Sequence, residues 1–469
     1  MKPAKALSLV IAVLIAQFSY AQEAVSMSLA QAQQYALEHG FAVTNARLDA
    51  AKAEREVKET LSIGLPQVTG SIDYNNYIDI PVQVAPADAF GFPDYLNQFL
   101  FDVSNETGVA LNAPEPDPDA ISEFQFGTPQ TITAGIQATQ IVFDGSYFVG
   151  IQASRAYADA MRNGIEKSEV ETKEAVASAY HTVLVAQENS RILSESLGLL
   201  KDTFEETQAL YENGFAEEMD VDQLRLNLAD LESRIKYADQ QAEVALDMLK
   251  FQIGMDLAAD LTLTDNVESL TGDTGASMLS TPFNIENNPD FKMQRSYVNL
   301  AELGVKNEKA RALPSIGAFY SYQRNAQRDE FNFLDFDQKW YPIQLWGVQM
   351  TVPIFGSTQG YQRIEKAKVD LARAEEALFQ VEQGAKLEFT SARIDFDNSL
   401  EQREIQKQNL ELAEKIFNKT QIKYNEGVAS SFELSQSQSQ LLTTQGNYIN
   451  ATLQLLNARA RLNKALNNF

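Results

Sequence analysis

The only imidazoles in this 469-residue chain are His39 and His181, and cysteine is absent. Ser–His or Cys–His nucleophilic chemistry needs a histidine beside a nucleophile and a third group that orients it, which two isolated histidines on alanine-rich helical sequence do not supply. Neither has a second histidine at metal-ligand spacing. Without cysteine there is no thiolate site, no disulfide framework and no lipidated N-terminal cysteine. Carboxylates are abundant, 64 Asp and Glu against 38 Lys and Arg. The pair most like a glycosidase dyad, Glu115 and Asp117, alternates with Pro114, Pro116 and Pro118 in a run that fixes no separation between two carboxyl groups. These residues point away from an enzyme and call for no cofactor or metal.

What they do point to is a partner profile. The formal charge is −26, and it becomes −28 if Lys2 and Lys5 are removed. A nucleic-acid partner is excluded on that ground, because phosphate binding requires a basic surface. The chain opens with Lys2 and Lys5, an eleven-residue apolar run from Ala6 to Ala16, and the small-x-small pattern Ser19-Tyr20-Ala21. This reads as an export signal over residues 1–21, since such a run is too short for the roughly 20 residues of a spanning helix. No later segment is an apolar stretch of that length. Any membrane-spanning part must therefore be built from strands.

The elements come in two copies. Leu65-Pro66-Gln67-Val68-Thr69-Gly70-Ser71-Ile72-Asp73-Tyr74 parallels Leu313-Pro314-Ser315-Ile316-Gly317-Ala318-Phe319-Tyr320-Ser321-Tyr322 at an offset of 248. Gly135-Ile136-Gln137-Ala138-Thr139 parallels Gly347-Val348-Gln349-Met350-Thr351 at 212, and Tyr211-Glu212-Asn213-Gly214 parallels Tyr424-Asn425-Glu426-Gly427 at 213. The fall from 248 to 212 places 36 extra residues in the first copy between Tyr74 and Gly135. That stretch is rich in proline and acid, and it reads as a long exposed loop over residues 75–130.

Around each landmark the pattern has period two. Ile132, Ala134, Ile136 and Ala138 alternate with Thr131, Thr133, Gly135, Gln137 and Thr139, and Trp346, Val348, Met350 and Val352 alternate with Gly347, Gln349 and Thr351. A strand between lipid and a watery lumen needs one face of each kind. Four strands cannot close alone, because bacterial barrels need at least about 8 and an open edge is not tolerated in lipid. A membrane location therefore requires several copies of the chain.

No proline occurs from Gln130 to Thr281 or after Pro353. The segments Ser146–Glu212 and Ser357–Glu426 read as helices of roughly 100 Å each at 1.5 Å per residue. Leu193, Leu197, Leu200, Phe204, Thr207 and Tyr211 recur at steps of four and three, as do Leu410, Ala413, Phe417, Thr420 and Tyr424. After each Tyr-x-x-Gly turn the register returns, through Val221, Leu224, Leu228, Leu231 and Ile235 or through Leu434, Ser437, Leu441, Thr444, Tyr448, Ala451 and Leu455. Each half is thus an antiparallel helical hairpin with a coiled-coil seam. The small, polar seam residues imply that further helices cover its flanks.

From Ser28-Leu29-Ala30-Gln31-Ala32 through Asn288-Pro289, with both Leu-Pro strand starts, both Gly-x-Gln-x-Thr strands and both Tyr-x-x-Gly turns, the chain resembles the outer-membrane efflux protein family, of which TolC is the type. The first copy departs from it, with Glu38-His39-Gly40-Phe41 where the second has Asn287-Asn288-Pro289. The resemblance implies a mainly α protein with membrane β structure, internally duplicated. Three copies would pool four strands each into a twelve-stranded barrel, continued by a coiled-coil tunnel through the periplasm. On this reading residues 22–283 form the first repeat (helix, strand pair with the acidic loop, hairpin) and 284–469 the second. The implied function is the outer-membrane channel of a tripartite efflux or type I secretion system. Its partners would be outer-membrane lipid, a periplasmic adaptor and an inner-membrane pump of the resistance-nodulation-division or ATP-driven class.

Carried over by position, the resemblance assigns adaptor contact to Gly214, Phe215 and Ala216 and to Gly427, Val428 and Ala429. It assigns the periplasmic gate to Tyr424, to Asp220 six residues beyond Gly214, and to Glu433 six beyond Gly427. A second acidic ring position is Gln436 here, and the basic residue expected beside the turn is replaced by Ala429. The competing reading is a soluble exported coiled-coil scaffold, which accounts for the helices and the signal but not for the doubled strand pattern.

Overall fold

The computed structural model describes residues 25–86, 94–110, 121–125, 127–271, 276–335 and 337–469. The export signal and the Glu115 and Asp117 pair lie outside the described residues. In chain order the first half contains β1 (Val25–Met27), α1 (Leu29–His39), α2 (Phe41–Ile63), β2 (Gln67–Asn76), β3 (Val82–Pro86), α3 (Asp94–Thr107), β4 (Ile121–Gln125), β5 (Gln130–Phe143), α4 (Gly145–Glu212) and α5 (Glu218–Ile253). Then come β6 (Leu261–Leu263), α6 (Val267–Thr271), α7 (Pro289–Ala310), β7 (Ser315–Arg328), β8 (Tyr341–Thr351), α8 (Gln359–Asn425) and α9 (Ser431–Leu466). Two compact units form, each drawing on both halves of the sequence. One is helical (residues up to Lys58, 149–308 and 358–469) and one is built on strands (59–148 and 309–357).

In the helical unit, α4 and α8 are continuous over 68 and 67 residues, and each is followed by a 36-residue partner, α5 or α9. With no proline to remove a hydrogen bond, α4 runs unbroken through Gly150, Gly164 and Gly198. The expected seams are where the packing is. Leu200, Leu224 and Leu231 form a buried cluster with Leu193, Leu197, Phe204, Leu228 and Ile235, and Leu442 of α9 packs against it. The flank of the first hairpin is therefore covered by the second. Between α8 and α9 the small residues Ala392, Ala413, Ser437, Thr444 and Ala451 are buried, and Cα atoms come within 8 Å over much of the pair. The first hairpin, spaced by leucine and phenylalanine, makes no comparable approach.

A second core gathers α1, the middle of α4 and the end of α5 around Tyr180, which is fully buried. Its hydroxyl donates to Met27 O and to Asp265 Oδ2, both at 3.0 Å, and Leu29 N donates to the same carboxylate oxygen at 2.7 Å. The parallel β1–β6 pair is thereby tied to α4. The two versions of the helix junction differ as their sequences do. Pro289 opens α7, with Asn288 Oδ1 accepting Phe291 N at 3.0 Å, the favoured place for proline. In the first half Gly40 stands between α1 and α2, where a Cβ would lie 2.4 Å from Ala36 O. Close backbone approach replaces the proline cap.

The strand unit holds a four-stranded antiparallel sheet in the order β2-β5-β7-β8. All four expected strands are present. Register aligns Ile72 with Ala134, Ala134 with Arg324, Tyr320 with Trp346 and Ala318 with Val348, so the apolar alternation of each strand falls on one face of the sheet. The other face carries Thr69, Gln137, Ser321 and Gln349. The apolar face is bare in the single chain, with Val68, Ile72 and Trp346 67%, 77% and 78% exposed. A bulge between Ile141 and Phe143 resets the register, which returns Phe143 to the row of Ile316.

The acidic insertion is not the loop its proline content suggests. Val82–Pro86 and Ile121–Gln125 pair antiparallel, and Asp94–Thr107 is a 14-residue helix. The helix occupies the longest stretch of the insertion free of both proline and glycine, between Pro93 and Gly108. Gly108, at φ +66°, ends it by donating its N–H to Ser104 O at 3.1 Å. Proline frequency hid that interval.

Candidate functional site

The two Tyr-x-x-Gly segments become the same turn. Gly214 N donates to Tyr211 O at 2.9 Å and Phe215 N to Leu210 O at 2.8 Å; Gly427 N donates to Tyr424 O at 2.9 Å and Val428 N to Lys423 O at 2.8 Å. This is the Schellman end of a helix, which requires a residue at positive φ, here +79° at Gly214 and +71° at Gly427. The tyrosine–glycine spacing is thus explained by a hydrogen bond. The next residue in each turn points to solvent, Phe215 at 81% exposure and Val428 at 75%. Met219 and Phe432 extend these apolar tips, while Ala216 and Ala429 are half-buried.

Each returning helix then starts with an acid three residues after its cap. Ser430 and Glu433 form a capping box: Glu433 N donates to Ser430 Oγ and Ser430 N to Glu433 Oε2, both at 3.2 Å. Glu217 N donates to Asp220 Oδ2 at 3.3 Å in the equivalent place. Glu433 therefore has a structural occupation in addition to its expected place in the gate.

Asp220 and Tyr424 do more than cap and turn. The Ser431 hydroxyl at the start of α9 hydrogen-bonds Asp220 Oδ1 at the start of α5, and Tyr424 Oη at the end of α8 lies 2.5 Å from Thr207 Oγ1 at the end of α4. Asn227 Nδ2 donates to Ser435 Oγ at 2.7 Å, two turns further along α5 and one turn further along α9. Three polar contacts thus fasten the ends of the two hairpins to each other. Burial holds the Tyr424 phenol above its ordinary pKa, and the nearby Asp220 and Glu206 carboxylates add to this against the Thr207 hydrogen bond. It stays protonated and neutral. Its counterpart Tyr211 is 41% exposed. Thr207, Ser431, Asn227 and Ser435 were not legible as partners, since nothing in sequence sets the rotation of one hairpin against the other.

His181 occupies no such place. It is 4% exposed, with Nδ1 3.2 Å from Asn457 Oδ1, and burial lowers its pKa from 6.5 to about 4. Because the folded value lies below the unfolded one, the unfolded chain binds the extra proton between these limits. Stability is complete above pH 6.5 and declines as pH falls toward 4, by about 3 kcal/mol in total. His181→Gln should flatten the pH dependence of Tm in that window; an unchanged slope would show that other groups carry it.

The chain thus pairs amphipathic strands with long helical hairpins that end in exposed apolar turns. It belongs to the outer membrane efflux protein family, whose sequence model matches residues 123–254 and 284–468. The pyoverdine export outer membrane protein OpmQ of Pseudomonas aeruginosa is 25% identical over 372 residues, covering 77% of this chain and 73% of that one. The fold is shared with the Campylobacter jejuni CmeC outer membrane channel (TM-score 0.67, 16% identity, 94% of this chain and 85% of the other). It is also shared with VceC of Vibrio cholerae (TM-score 0.65, 14% identity, 93% and 95%). Its place is thus the outer membrane and its work efflux.

Proposed function

We propose that three copies form a passive exit duct, without a catalytic step, for solutes delivered by an inner-membrane pump of the resistance-nodulation-division or ATP-driven class through a periplasmic adaptor. The observation that carries this reading is the open sheet: β2 and β8 are edge strands, one face is apolar and the other polar. Pairing β8 of one copy with β2 of the next removes every edge and yields twelve strands, with the apolar face toward lipid. Internal duplication at 22–283 and 284–469 is supported by the common element order, the two Schellman turns and the two family matches. The detergent-extracted protein should come from the outer membrane and run unheated as a trimer that heat converts to monomer. A soluble monomer or dimer would instead favour the coiled-coil scaffold.

The gate belongs to the hairpin ends. Thr207 and Tyr424 have equivalents 213 residues away in Thr420 and Tyr211, so a trimer with matching helix neighbours repeats their bond between copies. The equivalents of Asp220 and Ser431 at the same offset are Glu433 and Glu218. Where one copy holds a hydroxyl against a carboxylate, the junction between copies sets two carboxylates together. Like charges make that junction the weaker one and the place where the duct opens. The exposed tips at Phe215 and Val428 are the adaptor contacts in this scheme, with Gly214, Ala216, Gly427 and Ala429 shaping the turns.

A further inference from the structure

The end of the sheet away from the helix connections concentrates the few cations of the strand unit. There is no lysine or arginine between Lys58 and Arg155, and between Arg311 and Arg363 the only ones are Arg324, Arg328 and Lys339. Register places Arg324 and Arg328 on the apolar face of β7, beyond Tyr320 and Tyr322. Arg324 is exposed there, with Nε donating to Tyr322 Oη at 3.1 Å. Arg328 is only 9% exposed. It is held by the carbonyl oxygens of Gln327 at 2.8 Å and Lys339 at 2.9 Å, and its Nε has no hydrogen-bond partner. Phe333 stacks beneath it in an edge-on cluster with Phe331 and Tyr74. Neither arginine meets a carboxylate among the described residues, although Asp329 and Glu330 follow directly in sequence. A buried guanidinium without a counter-ion is costly, and an anion from outside would relieve it.

Beside this cluster lies an open groove of about 770 Å³, floored by Gly70 and Ala134 and walled by Ile72, Tyr322, Arg324 and Trp340. The missing side chain at Gly70 makes room on a face otherwise filled by isoleucine and tyrosine. We infer that this groove holds an acyl chain of a phosphate-bearing glycolipid of the outer leaflet, with its phosphate on Arg324 and the charge of Arg328 and Lys339 behind it. Charge complementarity selects this occupant: an acidic protein presents its isolated cations on its lipid face, at the level where such headgroups lie. Guanidinium binds phosphate through paired N–H donors, and the apolar groove adds chain contact that a free anion lacks.

The inference rests on the barrel reading above, which sets this face toward lipid. Native mass spectrometry of the detergent-extracted protein, titrated with bisphosphorylated lipid A, its dephosphorylated form and phosphatidylethanolamine, tests it. Lipid A should bind about tenfold more tightly than either comparison lipid, and Arg324→Gln should remove that advantage while Arg324→Lys keeps part of it. Gly70→Leu should weaken retention by filling the groove, since a Cβ there meets only Gly135 O at 3.8 Å. Equal retention of the three lipids, no effect of Arg324→Gln, or displacement by inorganic phosphate alone would overturn the lipid site. Each of these is read on a heat-sensitive trimer, so a lipid failure stands apart from failure of the channel, which the absence of that trimer would reveal.

Discussion

Asp220→Ala combined with Tyr424→Phe is expected to raise single-channel conductance and open time in planar bilayers above those of the unaltered protein. The two changes remove a hydroxyl–carboxylate bond and a tyrosine–threonine bond that join the ends of the hairpins. At about 2 kcal/mol for the charged contact and about 1 kcal/mol for the neutral one, the ratio of joined to parted tips should move by about a hundredfold. The opposite change is as informative. Glu218→Ser places a hydroxyl opposite Glu433 of the next copy and should lower conductance below that of the unaltered channel. The gate assignment fails if the double variant conducts as the parent does, and the weak-junction argument fails if Glu218→Ser opens the channel. Asp220→Ala and Glu433→Ala each also dismantle a capping box, at the start of α5 and of α9, worth about 1 kcal/mol of helix stability apiece, so Tyr424→Phe alone is the control that leaves both helix starts intact.

Phe215→Asp with Val428→Asp is expected to abolish crosslinking to the adaptor while trimers form normally. Both side chains already stand in solvent, so an aspartate there costs the isolated protein little. At a desolvated contact each change should cost more than about 2 kcal/mol, a loss of over thirtyfold per site. Undiminished crosslinking of a folded trimer would remove both tips from the interface. Gly427→Val provides the contrast, since a β-branched residue at φ +71° strains the turn itself by roughly 1–2 kcal/mol and should lower Tm along with binding.

Much of the architecture was readable because it is periodic or punctuated. Ile132 to Ala138 and Trp346 to Val352 alternate so regularly that each strand announces its apolar side, and β5 and β8 appear where that alternation does. The Tyr-x-x-Gly spacing marks the turns because one backbone hydrogen bond spans those residues and needs positive φ at the glycine. The insertion was misread for the converse reason. Proline at Pro81, Pro86, Pro93, Pro114, Pro116 and Pro118 punctuates the stretch without forbidding a helix in the gap, and α3 fills that gap.

By itself the sequence determined everything that depends on neighbours along the chain: four amphipathic strands, two long hairpins with their seams, and two identical reversals. Local dihedral preferences and hydrophobic period are sufficient for these. The tertiary structure alone decided what depends on the placement of one element against another. It set the order β2-β5-β7-β8, which leaves two particular edges open. It paired Tyr424 with Thr207 and Asp220 with Ser431, and gave Glu433 its own helix end to cap. It also brought Arg324 alongside Gly70, residues 254 apart in the chain. Helix rotation and strand order are fixed by contacts between residues hundreds of positions apart, and no local pattern encodes which of the available surfaces will meet.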